Sequence, residues 1–156
     1  MGKFLSLFLT LVALLPMAAH TATESKTNYP KAASLKRAEV NVRAGPGTRY
    51  PILWVFRRKG WPVKIIAKYD NWYKIRDVEG EEGWVYLGMI SSKQTAIIST
   101  DTAPADMLKR VDQERVLMRL GENVIVGVEE CAPTHCKVNY QGDKGWVSKA
   151  RLDMLP

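Results

Sequence analysis

The stretch Gly80-Glu81-Glu82-Gly83-Trp84-Val85 returns near the C-terminus as Gly142-Asp143-Lys144-Gly145-Trp146-Val147. This doubled G-x-x-G-W-V frame limits the fold more than any other feature of the chain. The residues ahead of each copy match as well: Trp72-Tyr73-Lys74-Ile75 before the first, His135-Cys136-Lys137-Val138 before the second. Further back, Gly60-x-x-Val63 and Gly121-x-x-Val124 each open an apolar run. Strand, tight turn, strand and Trp in fixed order, used twice, read as two copies of one small β module. A length of 156 residues allows one or two small domains.

The first residues speak to compartment. Lys3 precedes an apolar run from Phe4 to Leu15, and Pro16-Met17-Ala18-Ala19 adds a break and small residues. That order is the pattern of a secretory signal peptide, expected over 1–22. A membrane-spanning helix needs about 20 apolar residues, and His20-Thr21 arrives too soon, so no stable membrane span is expected after cleavage. No cysteine stands near the cut, which argues against a lipoprotein anchor. The formal net charge is +7, and the leader carries a single lysine of it. A basic exported protein meets anionic cell-wall polymers, headgroups and acidic glycans, and export makes nucleic acid a poor match. The competing reading is that the charge serves solubility alone.

Residues 23–35 are polar and small with no clear period, and read as a flexible linker. Val40 and Val42 then alternate with Glu39, Asn41 and Arg43 as a half-buried strand that ends at Gly45-Pro46-Gly47. Short strands follow around Pro51–Phe56, Trp61–Ala67, Trp72–Arg76 and Trp84–Tyr86, with turn residues between them. About five short strands at this spacing make a small barrel. The fold class expected is all-β: two small barrels in tandem, over 36–92 and 93–156. Met107–Leu120 has a loosely helical apolar spacing, but the repeat requires a strand leading into Gly121. The expectation is a loop or short turn and then a strand from about Arg115.

The run E-V-N-V-R-A-G-P-G-T-R-Y-P-I, the Gly before an apolar strand, and then D-N-W-Y-K-I and G-W-V resemble the bacterial SH3 family (SH3b). The second module keeps G-x-x-V, the Cys-Lys-Val strand and G-x-x-G-W-V, and resembles the divergent SH3-like units that follow a first SH3 domain. It departs at its start, where Ala96-Ile97-Ile98-Ser99-Thr100 stands in place of N-V-R-x-G-P-G. Any ligand contact of the Arg-Ala-Gly-Pro-Gly loop therefore does not transfer to it.

Cys131 and Cys136 are the only cysteines, and a Pro lies between them. In an exported protein such a pair is most simply a disulfide closing a hairpin. A metal site from Cys131, His135 and Cys136 is the sharper alternative. Adjacent His and Cys point to opposite strand faces and no fourth ligand stands nearby, so neither metal nor cofactor is expected. Aromatic residues concentrate in the first module. Alternation puts Tyr73 with Ile75 on one face and Trp72 with Lys74 and Arg76 on the other. The Trp of G-x-x-G-W-V, because it recurs, reads as core. Trp54, Trp61 and Trp72, with Tyr50 and Arg43, are the candidates for an exposed ligand groove, since aromatic faces flanked by arginine suit sugar stacking and carboxylate or phosphate contact. Packing inside the barrel is the competing reading for each Trp. For Arg57-Arg58-Lys59 a solvated basic rim is the favoured reading.

No Ser/His/Asp or Cys/His pair has supporting context, so an enzyme is not expected. The SH3b resemblance implies a non-catalytic module in the bacterial periplasm or secreted. Its partner would be peptidoglycan, another anionic envelope polymer, or wall-associated machinery. The alternative is an adaptor that docks an envelope protein.

Overall fold

A computed structural model describes residues 28–100 and 103–155. The expected signal segment and the start of the expected linker lie outside these residues. Everything described is strand, turn or short 3-10 turn, arranged as two antiparallel sheets of seven strands each.

The first sheet contains β1 (Lys31–Leu35), β2 (Val40–Arg43), β3 (Ile52–Phe56), β4 (Pro62–Tyr69), β5 (Trp72–Arg76), β6 (Glu82–Tyr86) and β7 (Ile90–Ser91). Its spatial order is β3-β2-β6-β5-β4-β1-β7. The second contains β8 (Thr95–Ile98), β9 (Ala105–Arg110), β10 (Gln113–Leu120), β11 (Ile125–Cys131), β12 (His135–Tyr140), β13 (Asp143–Ser148) and β14 (Leu152–Asp153). Its order, β10-β9-β13-β12-β11-β8-β14, is the first with every strand advanced by seven. The repeat seen in the G-x-x-G-W-V frames therefore extends to the whole topology. Register shifts at Val42/Arg43 and Ile65/Ala67 in the first sheet, and at Val128/Glu130 in the second, let the ladders bend.

Each sheet encloses its own core. Leu35, Val40, Val42, Val63, Ile75 and Val85 are among those filling the first, and Ile98, Met107, Val126, Cys136, Val138 and Val147 among those filling the second. These positions alternate with outward residues along their strands, so period two alone predicts most of them. Gly83 and Gly145 are buried where a neighbouring strand crosses closest. A Cβ at Gly83 would overlap Val42 Cγ1, and one at Gly145 would come within 2.6 Å of Met107 Cγ and 2.8 Å of the Leu108 carbonyl oxygen. The first Gly of each frame makes the turn, and the second makes room for β2 or β9.

Three sequence expectations are corrected. Lys31–Leu35 is a strand and not the end of a linker: it pairs with both β4 and β7, and Ala33, Ser34 and Leu35 are buried. The apolar spacing of Met107–Leu120 belongs to the β9–β10 hairpin: Ala105–Arg110 is a strand where a loop is expected, and the strand expected from about Arg115 runs from Gln113. The counterpart of Asn41-Val42-Arg43 is Asp106-Met107-Leu108, because Arg43 stands opposite Trp84 as Leu108 stands opposite Trp146. Ala96–Ile98 instead corresponds to β1.

Candidate functional site

Trp72 and Tyr86 form the floor of an apolar groove on the first module. They are directly opposed on β5 and β6, and their rings meet edge to face at 5.9 Å and 71°. Tyr73 packs on the core, which turns Trp72 outward by strand alternation. Tyr86 stays 45% exposed. Met89 from the short turn after β6 also lines the groove, and Glu39, Asn41 and Thr48 add polar groups to the lining. The groove encloses about 360 Å³. An edge-to-face pair with one open ring beside hydroxyl, amide and carboxylate groups can stack a flat apolar face and orient it by hydrogen bonds.

Arg43 lines this groove and also builds it. Its Nη1 donates to the Thr48 carbonyl at 3.1 Å and to the Tyr50 carbonyl at 2.8 Å, tying down the loop that carries Thr48. Tyr50 sits in that loop with its ring against Gly45, and the Arg49 guanidinium lies 5.2 Å from the ring centroid.

Trp54 and Trp61 are placed elsewhere. They bracket Phe56, with ring centroids 6.1 Å apart in both pairs, and all three rings pack against the first core. Trp54 is paired with Val42, whose side chain faces inward, and so it shares the core side. A second depression of about 390 Å³ opens beside these rings, rimmed by Asp77, Glu79 and Glu81. Of the residues expected to form one groove, the structure thus joins Arg43 and Trp72, sets Tyr50 in the supporting loop, and moves Trp54 and Trp61 to the core edge. Trp61 Nε1 is buried and lacks a hydrogen-bond partner among the described residues.

Sequence reasoning missed two outward aromatics. Trp84, read as core, is only partly buried and stands between Arg43 and Lys74 on the outer face, because Gly83 and Val85 on either side turn inward. Tyr86 shares its face. Both were discoverable from alternation against Val85; recurrence of the Trp pointed the other way. Beside Trp84, Glu82 bridges Lys74 at 2.7 Å and Arg76 at 2.6 Å. Hydrogen bonds from Lys74 and then Arg76 hold the Glu82 carboxyl below the usual carboxylate range.

The second module lacks the groove's parts. By ladder position His135 replaces Trp72, Ser148 replaces Tyr86, Leu108 replaces Arg43 and Cys136 replaces Tyr73. Cys136 is fully buried and bonded to Cys131. His135 Nδ1 lies 2.9 Å from Thr134 Oγ1. No cluster of three His, Cys, Asp or Glu able to hold a metal occurs among the described residues.

A model of the bacterial SH3 domain matches residues 36–92 and again 111–153. The chain belongs to the bacterial SH3 domain family. Among curated proteins it is 29% identical over 122 residues to the putative N-acetylmuramoyl-L-alanine amidase YrvJ of Bacillus subtilis (strain 168). The match takes in 70% of this chain but 23% of the amidase, so the chain spans about a quarter of that relative. Among solved structures it is similar to an NlpC/P60 family protein from Bacillus cereus ATCC 10987, with 13% identity, a TM-score of 0.37 and coverage of 78% of this chain and 55% of the other. NlpC1 from Trichomonas vaginalis is matched at 13% identity and a TM-score of 0.37, over 82% of this chain and 47% of the other.

Proposed function

We propose that this chain is a non-catalytic exported SH3b protein that binds cell-wall peptidoglycan through its first module, in the periplasm or outside the cell. The observation that carries the reading is the groove floored by the Trp72–Tyr86 pair and lined also by Glu39, Asn41 and Thr48. It offers a stacking platform and polar groups together. The similarity to an amidase that is named for N-acetylmuramoyl-L-alanine chemistry supports a wall partner. The leader over 1–22 and a Cys131–Cys136 bridge suited to an oxidising compartment support export. In this reading 36–92 recognises the wall and 93–156 orients it.

The test is co-sedimentation of the mature protein with insoluble peptidoglycan at about physiological salt and again near 1 M, where charge attraction is screened within about 3 Å. Pelleting should persist at high salt, and Trp72→Ala should weaken it roughly tenfold or more, as loss of a central aromatic anchor does. No pelleting at either salt refutes the proposal.

A second reading, an adaptor docking an envelope protein, is favoured by one observation. The second module has lost the aromatic groove but exposes Val111, Val116 and Leu117 on its β9–β10 hairpin. In that reading Trp72→Ala leaves partner binding intact.

A further inference from the structure

A further recess lies where β1, the turn before β4 and the segment after β7 converge. It encloses about 380 Å³, and Lys36, Arg37, Lys59 and Lys93 line it together with Ser34 and Thr95. No acidic residue lines it. Among the described residues, none of the four cations has a carboxylate within 4.0 Å, whereas Arg57, Lys74, Arg76, Arg110, Arg119, Lys137 and Lys144 each do.

The backbone that carries these charges is well anchored. The Lys36 N–H donates to the Met89 carbonyl at 2.7 Å and the Gly60 N–H to the Leu35 carbonyl at 2.9 Å. Ser34 Oγ donates to the Lys93 carbonyl at 2.8 Å, and the Lys93 N–H donates to Ser91 Oγ at 3.2 Å. Thr95 Oγ1 donates to the Gly60 carbonyl at 2.8 Å. These N–H groups and the Ser34 and Thr95 hydroxyl protons are thus already engaged. What the recess offers a ligand is positive charge from three ammonium groups and one guanidinium, which are donors without acceptors.

We infer that this recess is an anion site for a phosphate-bearing ligand, separate from the aromatic groove. Four unpaired cations exceed what one carboxylate can neutralise, and a phosphate group presents several strong acceptor oxygens that lysine and arginine take up. The site favours a phosphate on a free molecule or a polymer chain over a bilayer surface. Its only large apolar side chain, Leu35, is buried, so it has nothing to insert between lipids. The inference does not depend on the peptidoglycan reading.

The experiment is an amide NMR titration of the mature protein with inorganic phosphate, then with a glycerol-phosphate oligomer, then pelleting with phosphatidylglycerol vesicles. Saturable shifts confined to 34–37, 59–60 and 91–95 are expected with both soluble ligands. The Lys59→Gln/Lys93→Gln double variant should weaken binding of the oligomer roughly tenfold. Lys109→Gln/Lys149→Gln, an equal charge change away from the recess, should leave it unchanged. Trp72→Ala should also leave it unchanged, which separates failure of this site from failure of the groove. Equal weakening by the two double variants, shifts spread over all basic residues, or vesicle binding without oligomer binding overturns the inference.

Discussion

The Cys131–Cys136 bridge closes a loop with a sequence separation of 5, and its two ends differ sharply in environment. Cys131 is exposed, while Cys136 is fully buried in the second core, at the position the first module fills with Tyr73. Restricting so short a loop in the unfolded chain is worth about 2 kcal/mol. Cys131→Ala removes that restraint and leaves Cys136 as a small apolar group, so it should cost about 2 kcal/mol. Cys136→Ser removes the same restraint and also buries a hydroxyl in an apolar core, adding roughly 1–3 kcal/mol. For a module of this size about 2 kcal/mol corresponds to a Tm lowered by roughly 8–16 °C. Native-state hydrogen exchange reads the modules separately, through the amides of Val138 and Val147 against those of Ile75 and Val85. Protection should fall only in the second module, equally for Cys131→Ala and for reduced wild type, and further for Cys136→Ser. Equal loss in both modules, or no loss in Cys131→Ala, would refute the reasoning, since the first would mean that the bridge acts on the whole chain and the second that it constrains nothing.

Four further outcomes are expected. Gly83→Ala should destabilise the first module by about 1–3 kcal/mol through overpacking against fully buried Val42; because Trp54 Cη2 lies 3.3 Å from that Cβ position, tryptophan fluorescence should change too. Gly80→Ala, at φ +89° with open space around it, should cost roughly 1–2 kcal/mol from backbone strain alone, without a fluorescence change. The Glu82 carboxyl is held low in the folded state by Lys74 and Arg76, and Glu129 by Lys144. Their contribution is therefore complete above the ordinary carboxylate value of 4.5 and is lost as pH falls through the lower folded value. Denaturant melts of wild type and Glu82→Gln should differ most near about pH 7 and converge as pH falls below the lowered folded-state value. Arg43→Lys removes the forked donation to the Thr48 and Tyr50 carbonyls; exchange at Ala44 and Tyr50 should accelerate and groove binding weaken, while protection at Ile75 stays unchanged.

Much of this architecture was legible in the chain because its signals are local. Period-two alternation marks Val40/Val42 and Tyr73/Ile75 as inward, and turn residues mark the hairpins. The spacing of G-x-x-G-W-V announces two copies of one module, and the family match and the identical strand orders agree with that repeat. The faces of Trp84 and Tyr86 were also implied, by alternation against Val85, although the recurrence of the Trp suggested the opposite.

What sequence could not decide depends on which distant segments meet. Lys31–Leu35 looks like a polar tether until β4 and β7 supply partners on both sides of it. Asp106-Met107-Leu108 has no visible kinship with Asn41-Val42-Arg43 until Leu108 is found opposite Trp146. Trp54 and Trp72 look alike in the chain, yet one shares the core side with Val42 and the other pairs with Tyr86 on the surface. The recess of four unpaired cations likewise draws on three separated stretches, 34–37, 59–60 and 91–95. Composition and periodicity determine that this chain makes two small β modules. Only the non-local ladders decide which side chains share a surface, because strand pairing, and not sequence spacing, sets which residues become neighbours.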